Sequence, residues 1–125
     1  RARVYMAAVC RCFPGKRPKG GDRVPSPEEI ATCRPWLQRE LDLLEPQLIV
    51  PVGQLAIAQF LPPRPLLEQI GTCQRYAHGQ TEIDVIPLPH PSGASPWPRI
   101  EPGKSLTARA LQMIAAHPAF RALLA

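Results

Sequence analysis

The apolar run Ile83-Asp84-Val85-Ile86-Pro87-Leu88-Pro89 limits the architecture of this chain more than any other segment. It is short and β-branched, as a strand buried on both faces is, and such strands belong to sheets covered by helices on each side. The run stops at His90-Pro91-Ser92-Gly93-Ala94-Ser95, a tight turn that opens on an ionisable imidazole. In an open α/β sheet the carboxyl ends of strands are where ligands are handled. A histidine there can donate a hydrogen bond to charge developing on a leaving group, and the small residues behind it let another backbone come close. The alternative for His90 is an ordinary surface turn.

The remaining segments fit the same plan. Leu48-Ile49-Val50-Pro51-Val52 is a second buried run, and Gly53 stands at its tip. Val4 to Cys10 reads as an earlier strand. Ser26-Pro27-Glu28-Glu29 starts a helix: Ser26 caps, Pro27 fits the first helical position, and Glu29 completes a capping box. Ile30, Leu37, Leu41 and Leu44 then share one face, and Pro35 is expected to kink the helix by removing the bond to Ala31. Gln54 to Phe60 opens a short helix that Pro62-Pro63-Arg64-Pro65 breaks, and Leu66 to Tyr76 has room for a short helix and an edge strand. Glu82 to Leu88 is the third strand, residues 96–102 are loop, and Lys104 to Ala116 is an amphipathic helix broken before Pro118. Strands alternating with helices predict a three-layer α/β/α sandwich around a central parallel sheet.

At 125 residues the chain is expected to form a single domain over residues 1–125, and its 45% hydrophobic content suffices for one core. Pro46, Pro51 and Pro62 interrupt the best candidate for a membrane span. Arg1-Ala2-Arg3-Val4-Tyr5 runs straight into a strand pattern without an initiator Met or a signal peptide, so the chain is expected to be the interior of a longer polypeptide. The net charge of +5 is uneven. Arg1, Arg3, Arg11, Lys16, Arg17, Lys19 and Arg23 are opposed in that region only by Asp22, which suits either a phosphate backbone or a solubilising loop. The four cysteines, Cys10, Cys12, Cys33 and Cys73, point to metal ligation or core burial rather than disulfides. Gly103-Lys104-Ser105 ahead of a helix is not a P-loop, because the glycine needed five residues earlier is Pro98. Lys104 and that helix N-terminus remain candidates for a nucleic-acid phosphate.

Taken in order, Val4-Tyr5-Met6-Ala7-Ala8-Val9-Cys10-Arg11-Cys12, Pro25-Ser26-Pro27-Glu28-Glu29-Ile30-Ala31-Thr32-Cys33-Arg34-Pro35-Trp36-Leu37, Leu48-Ile49-Val50-Pro51-Val52-Gly53 and His90-Pro91-Ser92 resemble the iron–sulfur uracil-DNA glycosylases, families four and five. The resemblance covers nearly the whole chain. It implies a DNA repair hydrolase that flips uracil, or a related deaminated base, out of single- or double-stranded DNA and cleaves its N-glycosidic bond to leave an abasic site. His90 corresponds to the residue that hydrogen-bonds the departing uracil anion, and Ala8 and Gly53 line the base pocket. Ala8 stands where many relatives carry a base-reading Asn and can neither donate nor accept for the uracil edge. Ser92, Gly93, Ala94, Ser95 and Trp97 correspond to the segment pressed into the minor groove. Ala94 is small for a wedge, which leaves Trp97 either to substitute for it or to cap the core edge. Lys16, Arg17, Lys19 and Lys104 would meet phosphates.

The same resemblance implies a [4Fe–4S] cluster held by Cys12 and Cys33 together with two ligands N-terminal to Arg1. The family's water-activating segment and the aromatic that stacks on uracil are expected in that earlier part too. A monomer, cytoplasmic and nucleoid-associated in a bacterial or archaeal cell, is expected. Two alternatives stand beside this reading: a catalytically inactive DNA-binding or structural relative of the same fold, and a small zinc-binding domain using Cys10, Cys12 and Cys33. The Cys10/Cys12 spacing is unusual for zinc, and no histidine lies near it in sequence.

Overall fold

The computed structural model describes Tyr5 and Met6, residues 26–91 and residues 96–124. The expected first strand and the basic loop lie outside the described residues, apart from Tyr5 and Met6, which are exposed and carry no strand. The chain divides into two compact units, Arg1–Glu45 and Pro46–Ala125.

The described part of the first unit is helix α1, Pro27–Leu44. It begins where the capping box predicts: the Ser26 hydroxyl accepts the Glu29 N–H at 3.2 Å, and the Glu29 carboxylate accepts the Ser26 N–H at 2.8 Å. Glu28 and Glu29 add negative charge to the positive end of the helix dipole. The helix runs through Pro35 as one element and ends at Glu45, whose φ of 46° is left-handed and whose N–H returns to the Leu41 carbonyl. The expected apolar face is only partly realised. Leu41 is buried and Ile30 and Leu37 are half-buried, but Leu44 is exposed, as are Trp36 and Leu43.

The second unit holds β1 (Leu48–Ile49), α2 (Gln54–Ile57), α3 (Leu66–Gln69), β2 (Gln74–His78), β3 (Thr81–Val85), a 3-10 turn (Trp97–Arg99), α4 (Gly103–Ala116) and α5 (Pro118–Leu124). The sheet order is β1-β3-β2. β1 runs parallel to β3, while β2 is antiparallel to β3 through a two-residue turn at Gly79-Gln80. The sheet of the described residues is therefore mixed, not wholly parallel as the helix–strand alternation predicts. A helix that would have carried the chain across the sheet, α3, is one turn long, and the strand after it doubles straight back.

Proline placement explains how far each pairing extends. Successive N–H groups of a strand point to opposite neighbours. The N–H groups of Asp84, Ile86 and Leu88 face β1 and reach the carbonyls of Gln47 (3.3 Å), Ile49 (3.1 Å) and Pro51 (2.9 Å). Pro87 and Pro89 occupy the alternate positions, which face β2, and have no N–H to give. Pairing with β2 accordingly stops at Val85, opposite Gln74, while pairing on the β1 side continues. Pro51 cannot donate to Ile86, so regular strand ends at Ile49, and contact resumes at the parallel bridge Val52–Leu88. The run expected to be buried on both faces is so for Val85, Ile86 and Pro87, whereas Leu48, Ile49 and Val50 are half-buried and Val52 is exposed.

The core of this unit gathers Ile57, Leu61, Ile70, Val85, Ile86 and Ala110, with Leu106, Met113 and Ile114 of α4 and Trp97 packed against it. Each fully buried isoleucine contributes about 1.5–3 kcal/mol relative to exposure. Phe60 and Tyr76 meet edge to face, ring centroids 5.1 Å apart. Buried Gln69 is satisfied by donating to the Pro62 carbonyl at 3.1 Å, which ties the proline-rich loop down. No helix among the described residues is long and apolar enough to cross a membrane.

Candidate active site

Two strand tips come together because the parallel track survives past Pro51. The Leu88 N–H reaches the Pro51 carbonyl, and the Gly53 N–H reaches the Leu88 carbonyl, both at 2.9 Å. Gly53 is therefore locked to the residue two before His90. Its φ of 88° and ψ of 159° belong to a region that only glycine occupies comfortably. A Cβ on Gly53 would lie 3.4 Å from His90 Cδ2 and 3.5 Å from His90 Cβ, so the glycine backs directly onto the imidazole. Gly53 is buried, whereas His90 and Pro91 are exposed. The sequence places both residues at strand ends; the pairing register is what makes them neighbours.

After the turn, Trp97 opens the 3-10 helix and lies half-buried against the core, which is the packing alternative for that side chain. Gly103 lets it do so. A Cβ on Gly103 would strike the Trp97 carbonyl oxygen and come within 2.8 Å of the indole. Lys104 is exposed in the first turn of α4. Three of the backbone donors at that helix end are already engaged. Glu101 accepts the Ser105 N–H at 2.8 Å on one carboxylate oxygen and the Ser105 hydroxyl on the other. The Lys104 N–H goes to the Ile100 carbonyl and the Leu106 N–H to the Pro102 carbonyl. These Ser105 hydrogen bonds, with Lys104 nearby, hold the Glu101 carboxyl below the usual carboxylate range. The helix N-terminus thus carries its own anion, with the exposed Lys104 ammonium beside it.

Of the remaining predicted site residues, Ala8, Lys16, Arg17, Lys19, Cys12, Ser92, Gly93, Ala94 and Ser95 lie outside the described residues. Cys33 is buried on α1. Cys73 is exposed at the foot of β2, where desolvation of its sulfur and the Asp84 charge push the thiol up against the opposing pull of Arg75. No three His, Cys, Asp or Glu side chains gather among the described residues, so these residues do not by themselves form a metal centre.

A polar cluster that sequence reading missed ties β3 to the junction of α4 and α5. Asp84 of β3 meets His117 Nε2 at 2.8 Å, while His117 Nδ1 accepts the Ala119 N–H at 3.0 Å. Because Nδ1 accepts, the ring proton sits on Nε2 and is donated to Asp84. Arg75, opposite on β2, bonds Glu82 at 2.9 Å and lies 3.7 Å from Asp84. The available signal was His117-Pro118, a cap and helix restart.

A parallel strand pair presenting a histidine and a close-packed glycine at its carboxyl end defines an α/β protein of the kind that handles a ligand at strand tips. The chain belongs to the uracil DNA glycosylase superfamily, whose family model matches residues 1–114. It is 26% identical over 99 residues to a type-4 uracil-DNA glycosylase of Sulfurisphaera tokodaii, covering 75% of this chain and 43% of that protein. To a type-5 uracil-DNA glycosylase of Pyrobaculum aerophilum it is 31% identical over 94 residues, 71% of this chain and 36% of that protein. A type-4 enzyme of Archaeoglobus fulgidus is 38% identical over 61 residues, 49% of this chain and 28% of that protein. The chain thus spans less than half the length of these relatives.

Proposed function

We propose that this chain carries the leaving-group half of a DNA glycosylase that removes uracil, or a related deaminated base, from DNA. The observation that carries the reading is the juxtaposition of Gly53 and His90 at the paired strand tips, close enough that a Cβ on the glycine would touch the imidazole. As the glycosidic bond lengthens, the sugar acquires oxocarbenium character and the base acquires negative charge. An exposed imidazole backed by a rigid glycine can donate a hydrogen bond to the base oxygen on which that charge collects. Such a donor acts mainly in the transition state, because the charge it answers is absent from the bound substrate. Burial of Gly53 and its bond to Leu88 fix the backbone beside the imidazole.

His90→Ala should slow single-turnover excision from uracil-containing DNA by roughly 100- to 1000-fold, about 3–4 kcal/mol. Affinity for an uncleavable uracil duplex should change far less. A variant that cuts at the parental rate, or loses rate and binding equally, refutes the assignment. DNA is the proposed partner, with Lys16, Arg17 and Lys19 meeting phosphates. The proposal includes a [4Fe–4S] cluster with Cys12 and Cys33 among its ligands, and no step of the reaction runs through it.

A further inference from the structure

Leu61-Pro62-Pro63-Arg64-Pro65-Leu66 joins α2 to α3, and its middle four residues are all exposed. Backbone chemistry leaves this segment little choice of conformation. Each proline fixes φ at about −65°, and a residue that precedes a proline is driven to extended or polyproline II geometry. Pro62 and Arg64 both precede a proline, and Pro65 itself has φ −59° and ψ 148°, which are polyproline II values. Both ends of the segment are held. Leu61 is buried and Leu66 packs against the core, while buried Gln69 donates to the Pro62 carbonyl at 3.1 Å. The Glu68 N–H reaches the Pro65 carbonyl at 2.9 Å. Between these ties, the carbonyls of Pro63 and Arg64 accept no hydrogen bond from the described residues. The Arg64 guanidinium has no ion-pair partner among them either.

A polyproline II helix has three residues per turn and rises about 3.1 Å per residue, so Pro62 and Pro65 share one edge about 9 Å apart. Pro63 falls on a second edge and Arg64 on the third. Aromatic-lined grooves read this spacing: their rings pack on the proline edges, and indole N–H or tyrosine O–H donors take the free carbonyls. We propose that this loop is a docking segment for a partner protein carrying an SH3-like aromatic groove with a carboxylate at its rim. The groove covers the Pro62–Pro65 edge and the Pro63 edge, its donors reach the Pro63 and Arg64 carbonyls, and the carboxylate pairs with Arg64. Because the segment is ordered before the partner arrives, little chain entropy is lost on binding. A nucleic-acid backbone is a poorer match. Phosphates are met by hydrogen-bond donors, and three of these four residues have no N–H. The inference stands apart from the glycosylase reading and uses none of its residues.

The test titrates the full-length polypeptide into an isotope-labelled SH3 domain that has an acidic pocket beside its aromatic groove, and follows the amide resonances of that domain. The parent should shift the groove resonances saturably, and a free proline-rich peptide should reverse the shifts. Arg64→Glu should weaken Kd by roughly 5-fold or more, and Pro63→Ala should weaken it too. Arg121→Glu makes the same charge change at an exposed position on α5 and should bind as the parent does. Far-UV circular dichroism should be unchanged in all three, since the substituted side chains are exposed. Should Pro63→Ala disturb the fold, Arg64→Glu, which keeps every proline, decides the outcome. No saturable shift, or shifts confined to residues outside the groove, overturns the proposal. Equal weakening by Arg64→Glu and Arg121→Glu overturns it as well, because general attraction to a basic chain then accounts for the binding. So does binding that withstands Arg64→Glu.

Discussion

Replacing Gly53 by alanine separates the two ways in which this glycine supports His90. The first is conformational: with φ at 88° and ψ at 159°, an L residue pays on the order of 1–3 kcal/mol to stay where glycine sits. The second is steric, and it is small. The new methyl would lie 3.4 Å from His90 Cδ2 and 3.5 Å from His90 Cβ, which is ordinary van der Waals contact. The backbone term therefore decides the outcome. Relief requires φ to rotate toward negative values, which turns the start of α2 against the peptide whose N–H reaches the Leu88 carbonyl at 2.9 Å. Gly53→Ala should lose about 1–3 kcal/mol in urea unfolding and shift the His90 imidazole resonances. Gly79→Ala is the control. It carries φ 61° at the hairpin turn with nothing within 4 Å of a new Cβ, so it should cost about 1–2 kcal/mol and leave His90 unmoved. A Gly53→Ala protein within about 0.5 kcal/mol of the parent, or one that disturbs His90 no more than Gly79→Ala does, refutes the reasoning.

Three further outcomes are expected. Gly103→Ala forces a Cβ into a backbone carbonyl and the Trp97 ring, so it should destabilise by about 1–3 kcal/mol or more and change Trp97 fluorescence. Ser105→Ala removes one of the bonds that lower the Glu101 carboxyl. Since a depressed carboxyl stabilises the fold above its unfolded value, the gap between parent and variant in urea unfolding should be widest above the ordinary carboxylate range. It should close as pH falls through the lowered Glu101 value, and a gap independent of pH would count against this role. Cys33→Ala should abolish the iron and sulfide content of anaerobically purified full-length protein if the cluster proposal holds; an iron-loaded variant would remove Cys33 from the ligand set.

What the sequence made legible here was local chemistry. Ser26 and Glu29 announce α1 because a capping box is satisfied within four residues, and the structure starts the helix there. The runs ending at Gly53 and His90 are recognisable as strands from their β-branched composition, and the short helix and edge strand expected between Leu66 and Tyr76 are present as α3 and β2. What stayed hidden depends on partners distant in the chain. The direction of β2 is one case, although Gly79 before Gln80 is a hairpin signal that the helix–strand alternation outweighed. The bond between Asp84 and His117, 33 residues apart, is another.

The candidate site shows how the two kinds of information combine. His90 is conspicuous in the sequence as the end of an apolar run, and Gly53 as the end of another, but nothing local says that they adjoin. Their juxtaposition follows from which carbonyls and N–H groups three prolines leave available. Pro51 interrupts the ladder without ending it, while Pro87 and Pro89 close the opposite side of the same strand to β2. The prolines that look like strand breakers in the sequence thus restrict β3 beyond Val85 to one neighbour. That single remaining pairing sets Gly53 against the histidine.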